Sequence, residues 1–268
     1  MLGVAVLLGL AHLILLGIDE PVAPLLLASL ALLAWRFVRE DWGVGALPYV
    51  VQSVERVSAN AVEVALAPLG DPIPAQPGQF ACVAFQSARE FKGCGEFHPY
   101  SVSSVDGVSG FRIAVKALGD CTRNIQSIVP GVPARVQGGF GDFLGKPAQA
   151  PQYWIAGGVG ITPFMALLRS GPLKRPTTLI YLYRSHADAL FVDELNGMAA
   201  SQPLLTSRLV TTGDDPIDPR CVIPAGEDVS KAEFWLCGPP PMIDAFAPFL
   251  HRRGIANRRM HFEDFGPL

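Results

Sequence analysis

Charge is nearly missing from the front of this chain: between Met1 and Trp35 only Asp19 and Glu20 carry a formal charge. They split two apolar runs, Leu2 to Ile18 and Pro21 to Trp35. A helix that crosses a bilayer needs about 20 apolar residues, with about 17 as the lower bound. Both runs therefore read as short spans of a transmembrane hairpin, the second reaching Val38 if Arg36 snorkels. The first run lacks a basic leader and a clear small-residue cleavage site, which sets the hairpin ahead of a secretory signal peptide. Arg36 and Arg39 follow the second run and the intervening turn is acidic. The positive-inside rule then places the N-terminus and everything after Glu40 in the cytoplasm.

Basic excess is also lacking. The net charge is −3 and the pI about 5.9, so there is no electrostatic footprint for nucleic acid. Cysteine is sparse: Cys82, Cys94, Cys121, Cys221 and Cys237 are scattered with no close pair. That disfavours a zinc site, excludes the closely spaced cysteines of a ferredoxin-type iron–sulfur cluster, and fits a reducing compartment with free thiols.

What is present is enough chain for two ordinary domains behind the apolar front, 268 residues in all. Alternating segments Val50–Val57, Ala61–Ala67, Phe80–Phe85, Tyr100–Ser103, Phe111–Lys116 and Ala134–Gln137 are separated by turns such as Leu69-Gly70-Asp71-Pro72 and Asp106-Gly107. This pattern predicts an antiparallel barrel or sandwich with one short helix near Thr122–Ile128. From Pro151 the rhythm becomes strand then helix: Tyr153–Ala156 with Phe164–Arg169, Thr178–Tyr183 with Asp188–Ala199, and Phe234–Cys237 with Met242–Arg253. Such alternation predicts a parallel sheet covered on both faces. The expected division is residues 1–40 hairpin, 41–147 barrel and 148–268 α/β domain.

Gly157-Gly158-Val159-Gly160-Ile161-Thr162-Pro163 follows an apolar strand and opens an apolar helix. Glycines there let backbone approach a pyrophosphate, and a helix N-terminus supplies free N–H groups. The spelling is not Gly-x-Gly-x-x-Gly. Trp235-Leu236-Cys237-Gly238-Pro239-Pro240-Pro241-Met242 repeats the strand-to-helix passage. His98-Pro99-Tyr100-Ser101 lies upstream, and His261-Phe262-Glu263-Asp264-Phe265 nearly ends the chain.

In order and spacing these four segments resemble the ferredoxin–NADP reductase superfamily over roughly residues 48–268. The His-Pro-aromatic spelling is similar to its membrane branch of ferric reductases and NADPH oxidases, whereas soluble members usually carry arginine at the position of His98. The resemblance implies an FAD-binding barrel and an NAD(P)H-binding α/β domain. Tyr100 would pack on the isoalloxazine ring and Ser101 would hydrogen-bond near its N5, with His98 and Pro99 beside them. Lys116, Gly119, Asp120, Cys121 and Thr122 would hold the FAD pyrophosphate, with Asp120 as candidate helix cap. Gly157 to Thr162 would take the coenzyme pyrophosphate, the Thr162 hydroxyl adding to the backbone donors. Cys237, with Gly238, Pro239 and Met242, would lie beside the nicotinamide. Glu263 would complete a polar site with Ser101 and Cys237, and Phe265 would cover the flavin face, although here three residues follow it. Val136 to Phe143, with Gly138, Gly139 and Gly141, resembles the family's structural stretch leaving the barrel.

Arg184 and Ser185 follow the second parallel strand, where a nucleotide fold presents the adenine ribose. A guanidinium there favours the 2′-phosphate of NADPH, but the Ser-Arg pair of many NADPH-using relatives is missing near Thr211–Asp215, which leaves NADH open. The expectation is a membrane-anchored flavin oxidoreductase that takes hydride from NAD(P)H onto FAD and passes single electrons to ferric iron, haem or oxygen. The alternatives are a tethered ferredoxin or flavodoxin reductase and a non-catalytic redox subunit. The resembling membrane proteins hold haem between histidines, and this front has only His12. No stable haem is expected in this chain alone, and a haem-bearing membrane subunit or electron carrier is the expected partner.

Overall fold

The computed structural model describes residues 17, 22–36, 45–107, 110–145, 150–215 and 217–264. The chain divides into two units, Met1–Ala46 and Leu47–Leu268. In the first unit the described element is helix α1 (Val22–Arg36). Its 15 residues span about 22 Å at about 1.5 Å per residue, short of the about 30 Å of a hydrocarbon core. No helix among the described residues is long and apolar enough to cross a membrane. The expected second span thus appears as a shorter helix, and the expected first span, His12 included, lies outside the described residues apart from Gly17. Leu27, Leu32 and Trp35 of α1 are exposed.

The second unit opens with six antiparallel strands, β1 (Leu47–Ser58), β2 (Ala61–Pro68), β3 (Phe80–Phe85), β4 (His98–Val105), β5 (Phe111–Lys116) and β6 (Pro133–Phe140), closed in the order β1-β2-β5-β4-β3-β6. Closure removes the unpaired edges that an open sheet would expose. Alternate residues fill the interior: Val62, Val64 and Leu66 of β2 join Ile113 and Val115 of β5 and Val83 and Phe85 of β3 in one core. The barrel expected from the alternation is present, and two of its strands keep their expected limits. Helix α2 (Asp120–Ile125) begins two residues earlier than expected, because Gly119 and not Asp120 is its cap residue.

Five parallel strands follow, β7 (Gln152–Gly157), β8 (Thr177–Tyr183), β9 (Leu205–Thr211), β10 (Glu233–Gly238) and β11 (Met260–Asp264), in the order β11-β10-β7-β8-β9. Their side chains sort by parity. Trp154, Ala156, Leu179, Tyr181, Trp235 and Cys237 enter one core with helices α3 (Thr162–Ser170) and α4 (Val192–Ser201). Tyr153, Ile155, Ile180, Leu182, Phe234 and Leu236 enter the other, with the longer helix that starts at Pro240. A short helix α5 (Pro219–Val222) precedes that helix, α6 (Pro240–Arg252). This two-sided burial is why β10, β7 and β8 read as near-continuous apolar runs, whereas the edge strands β9 and β11 are partly exposed, more polar and were not among the expected strand–helix units. Helix α4 starts at Val192 and not Asp188, since His186–Asp188 forms a separate 3₁₀ turn and Phe191 adopts φ 59°. Both expected domain boundaries, at 40/41 and 147/148, fall outside the described residues.

Strand order reverses between β7 and β10, and in open parallel sheets ligands bind beyond the carboxyl ends of strands at such a switch point. The carboxyl ends here are Gly157 and Gly238.

Candidate dinucleotide and flavin site

At the switch point two glycine turns interlock. After Gly157 the chain makes a 3₁₀ turn, Gly158–Ile161, with Gly158 at φ +55°, and then enters α3 with Pro163 in its first turn. A Cβ on Gly160 would lie 2.1 Å from the Cys237 carbonyl oxygen, and one on Gly157 would lie 2.7 Å from Met242 Sδ and 2.8 Å from Pro239 Cδ. Glycine is thus required by the approach of the second turn as well as by any ligand. Ile161 and Thr162 are buried. The Thr162 hydroxyl donates to Val159 O at 2.9 Å, so it closes the turn and is not an extra ligand donor as expected.

Cys237 is fully buried and pairs in register with Glu263 of β11. Burial, with a contribution from the Glu263 charge, pushes its thiol up, so it stays a thiol and offers no nucleophile. Burial also pushes Glu263 up to about 7, and its Oε2 has no hydrogen-bond partner. Phe265 lies outside the described residues.

On the barrel, Tyr100 and Ser101 are buried in β4 opposite Ala81 and Phe80 of β3. Tyr100 Oη and Ser101 Oγ lack partners, and burial raises the phenol. Buried polar atoms are rarely left unsatisfied. Five such orphans occur among the described residues, the others being His98 Nε2 and Gln126 Oε1, and those on Tyr100, Ser101 and Glu263 fit residues that await the polar edge of a flavin and a nicotinamide. Pro99 is exposed, and His98 Nε2 lies 3.7 Å from Glu96.

The segment after β5 differs from expectation in its details. Thr122 Oγ1 accepts from the N–H groups of Leu118 and Gly119, both at 2.9 Å, and donates to Gly119 O. It shapes the turn from within. Asp120 pairs with Arg123 at 3.1 Å, and Lys116 Nζ lies 3.3 Å from Asp188. Asp188 also accepts from Ser185 at 2.7 Å and from Asn60 at 2.7 Å, and the Ser185 bond chiefly holds its carboxyl below the usual range. Lys116 and Ser185, expected at two different cofactors, therefore meet in one link between barrel and parallel sheet. Arg184 Nε pairs with Asp214 Oδ1 at 3.1 Å in the open.

Sequence reasoning missed a second link. Arg169, at the end of the helix that opens with the phosphate turn, donates to Glu63 Oε1 at 2.7 Å, to Ser103 O at 3.0 Å, and through two nitrogens to Glu194. It ties α3 to β4, two residues beyond Ser101. A buried acid, Glu63, inside an otherwise apolar strand was the available signal. The free-thiol expectation is also corrected: Cys94 and Cys121 form a disulfide, brought within 5.7 Å at Cα by a fold that returns α2 to the loop before β4.

A closed antiparallel barrel joined to a parallel sheet, with a glycine turn at the switch point and orphaned polar atoms on β4 and β11, defines a two-domain flavin and nicotinamide reductase. The comparisons agree. An FAD-binding domain matches residues 48–176 and an oxidoreductase NAD-binding domain matches residues 154–247. The chain belongs to the ferredoxin–NADP reductase superfamily of FAD-dependent NAD(P)H oxidoreductases.

Among its relatives, the toluate 1,2-dioxygenase electron transfer component of Pseudomonas putida is 26% identical over 70% of this chain. The propane 2-monooxygenase reductase component of Mycolicibacterium smegmatis is 26% identical over 84%. The chain spans 58% of the first relative and 71% of the second. The FAD/NAD-binding domain of nitric oxide dioxygenase from Vibrio cholerae superposes with a TM-score of 0.70 at 23% identity, over 82% of this chain and 99% of that one, which shows a shared fold.

Proposed function

We propose that this chain is a membrane-attached NAD(P)H reductase of the ferric reductase and NADPH oxidase-like branch, with its catalytic domains on the cytoplasmic side. The observation that carries the reductase chemistry is the pairing of Cys237 with Glu263 at the carboxyl end of β10, against the Gly157–Gly160 turn. FAD, when bound, supplies the conversion of a two-electron hydride into single electrons. The chain's own residues position and shield. Tyr100 offers an aromatic face, and Ser101 Oγ is free to hydrogen-bond at the flavin edge. The turns at Asp120–Thr122 and Gly157–Ile161 present backbone N–H groups to the two pyrophosphates. Cys237 and Met242 pack beside the nicotinamide, and the Glu263 carboxyl, near neutral pH able to hold or release a proton, orients its polar edge. Arg184 is the candidate group for the 2′-phosphate of NADPH, but it pairs with Asp214, and NADH stays open beside NADPH.

Two features support the membrane reading: the His98-Pro99-Tyr100 spelling and an apolar front whose leucines and Trp35 are exposed on α1. The division 1–40, 41–147 and 148–268 is kept with it, on the change of sequence pattern at each boundary. A second reading, service to a separate electron-carrier or haem protein, is favoured by relatives named as electron transfer and reductase components. Flotation with liposomes, combined with NADPH-driven reduction of a ferric chelate, tests the first reading. A protein that stays unbound and reduces an added iron–sulfur protein far faster than the chelate supports the second.

A further inference from the structure

Strands β4 and β5 pair only between residues 102–105 and 111–113. Beyond that, residues 98–101 pair with β3 and residues 114–116 with β2. The barrel wall thus parts at the end that carries both His98-Pro99-Tyr100-Ser101 and the Lys116–Thr122 turn. No ladder bonds hold the two flavin segments together there. The Cys94–Cys121 disulfide does so instead: Cys94 precedes β4 by four residues and Cys121 is the second residue of α2. The two sulfurs and a ring nitrogen of His98 all lie within 4.8 Å of one another, and all three residues are only half-buried, so a reductant can reach them.

We propose that Cys94 and Cys121 are a reversible disulfide that sets how firmly the protein retains FAD. This rests on the assignment of the two parted segments to the flavin. In the oxidised state the bond clamps the opening. A dithiol reductant opens it by thiolate attack on one sulfur: the S–S bond breaks, a mixed disulfide forms, and the other cysteine leaves as a thiolate that takes a proton from solvent. The second reductant thiol then displaces the first cysteine and becomes part of a cyclic disulfide. Two electrons and two protons pass to the protein, giving two thiols. With the clamp open, the segments separate more readily and the flavin leaves faster.

The test uses the full chain loaded with FAD, with one portion oxidised by diamide and the other reduced by dithiothreitol that is then removed. Thiols are counted in denaturant, and FAD release on dilution is followed by the rise in its fluorescence. The expected counts are three thiols in the oxidised protein, from Cys82, Cys221 and Cys237, and five after reduction. Release should be roughly tenfold faster after reduction, within what closing a loop of this length provides. Cys94→Ser should release FAD at the fast rate whether or not dithiothreitol is present, whereas Cys221→Ser should behave as the parent. Equal release rates from oxidised and reduced FAD-loaded protein would overturn the clamp alone. FAD held by neither form would overturn the flavin assignment and the clamp with it. One tightly held zinc per chain, with five thiols in protein never exposed to reductant, would make Cys94, His98 and Cys121 a metal site and not a redox pair.

Discussion

Arg169 Nη1 sits 2.7 Å from Glu63 Oε1, joining the end of the phosphate-turn helix to the second strand of the barrel. The Glu63 side chain is 2% exposed, so its charge has almost no help from water. The Ser103 hydroxyl donates to the same carboxylate oxygen, and Arg112 lies 3.7 Å from the other. Burial works against the Arg169 charge, but the bonds to Glu194 and Glu63 outweigh it and raise the guanidinium above its ordinary range. Breaking one side of such a pair leaves a buried charge uncompensated, at about 3–5 kcal/mol. Arg169→Leu is expected to lose stability by at most that amount in urea unfolding, since the Ser103 hydroxyl and Arg112 still face Glu63. Adding Glu63→Gln to it should restore most of the loss, because the stranded charge is then gone.

Glu263 gives a pH signature. Its carboxyl titrates near 4.5 when unfolded and is pushed up to about 7 by burial in the folded protein. Between these values the folded state binds more protons, so this group makes stability fall as pH rises from about 4.5 to about 7, with the full penalty above. Glu263→Gln mimics the protonated form. In flavin-free protein the variant should melt like the parent at pH 4.5 and above it at pH 8, and calorimetry across that range checks the sign.

The barrel was legible because half-buried strands alternate: Phe80–Phe85 and Phe111–Lys116 keep their expected limits. The centre of the parallel sheet was legible because β10, β7 and β8 are apolar on both faces, whereas the partly exposed edge strands β9 and β11 carry no such run. Local patterns also marked the Gly157–Pro163 turn, yet they could not say that the Thr162 and Thr122 hydroxyls would be used inside their own turns. Arg169 and Glu63 lie 106 residues apart, and Cys94 and Cys121 lie 27 apart. Those meetings depend on how strands order and domains dock, which periodicity does not encode.

Gly160 separates the two dinucleotide roles. With no room for a Cβ against the Cys237 carbonyl, Gly160→Ala must displace the phosphate turn or the end of β10. Misplacement by about 1 Å costs about 10²-fold in rate. Hydride transfer from NADPH should slow by that order while FAD content stays unchanged. Stopped-flow reduction and heat-released FAD measure the two effects separately.

The central claim is that β4 and β11 offer their unpartnered groups to a flavin and the nicotinamide that reduces it. Its most direct test is anaerobic stopped-flow reduction of the FAD-loaded chain by NADPH and by NADH, in the parent and in Ser101→Ala. Ser101 Oγ has no protein partner, so alanine should leave the stability of the flavin-free fold unchanged. The account predicts stoichiometric FAD, rapid bleaching of its absorbance by NADPH, and a rate about 10²-fold lower in Ser101→Ala with little loss of bound FAD. A purified chain that holds no FAD, or a parent and variant that bleach at the same rate, would contradict it.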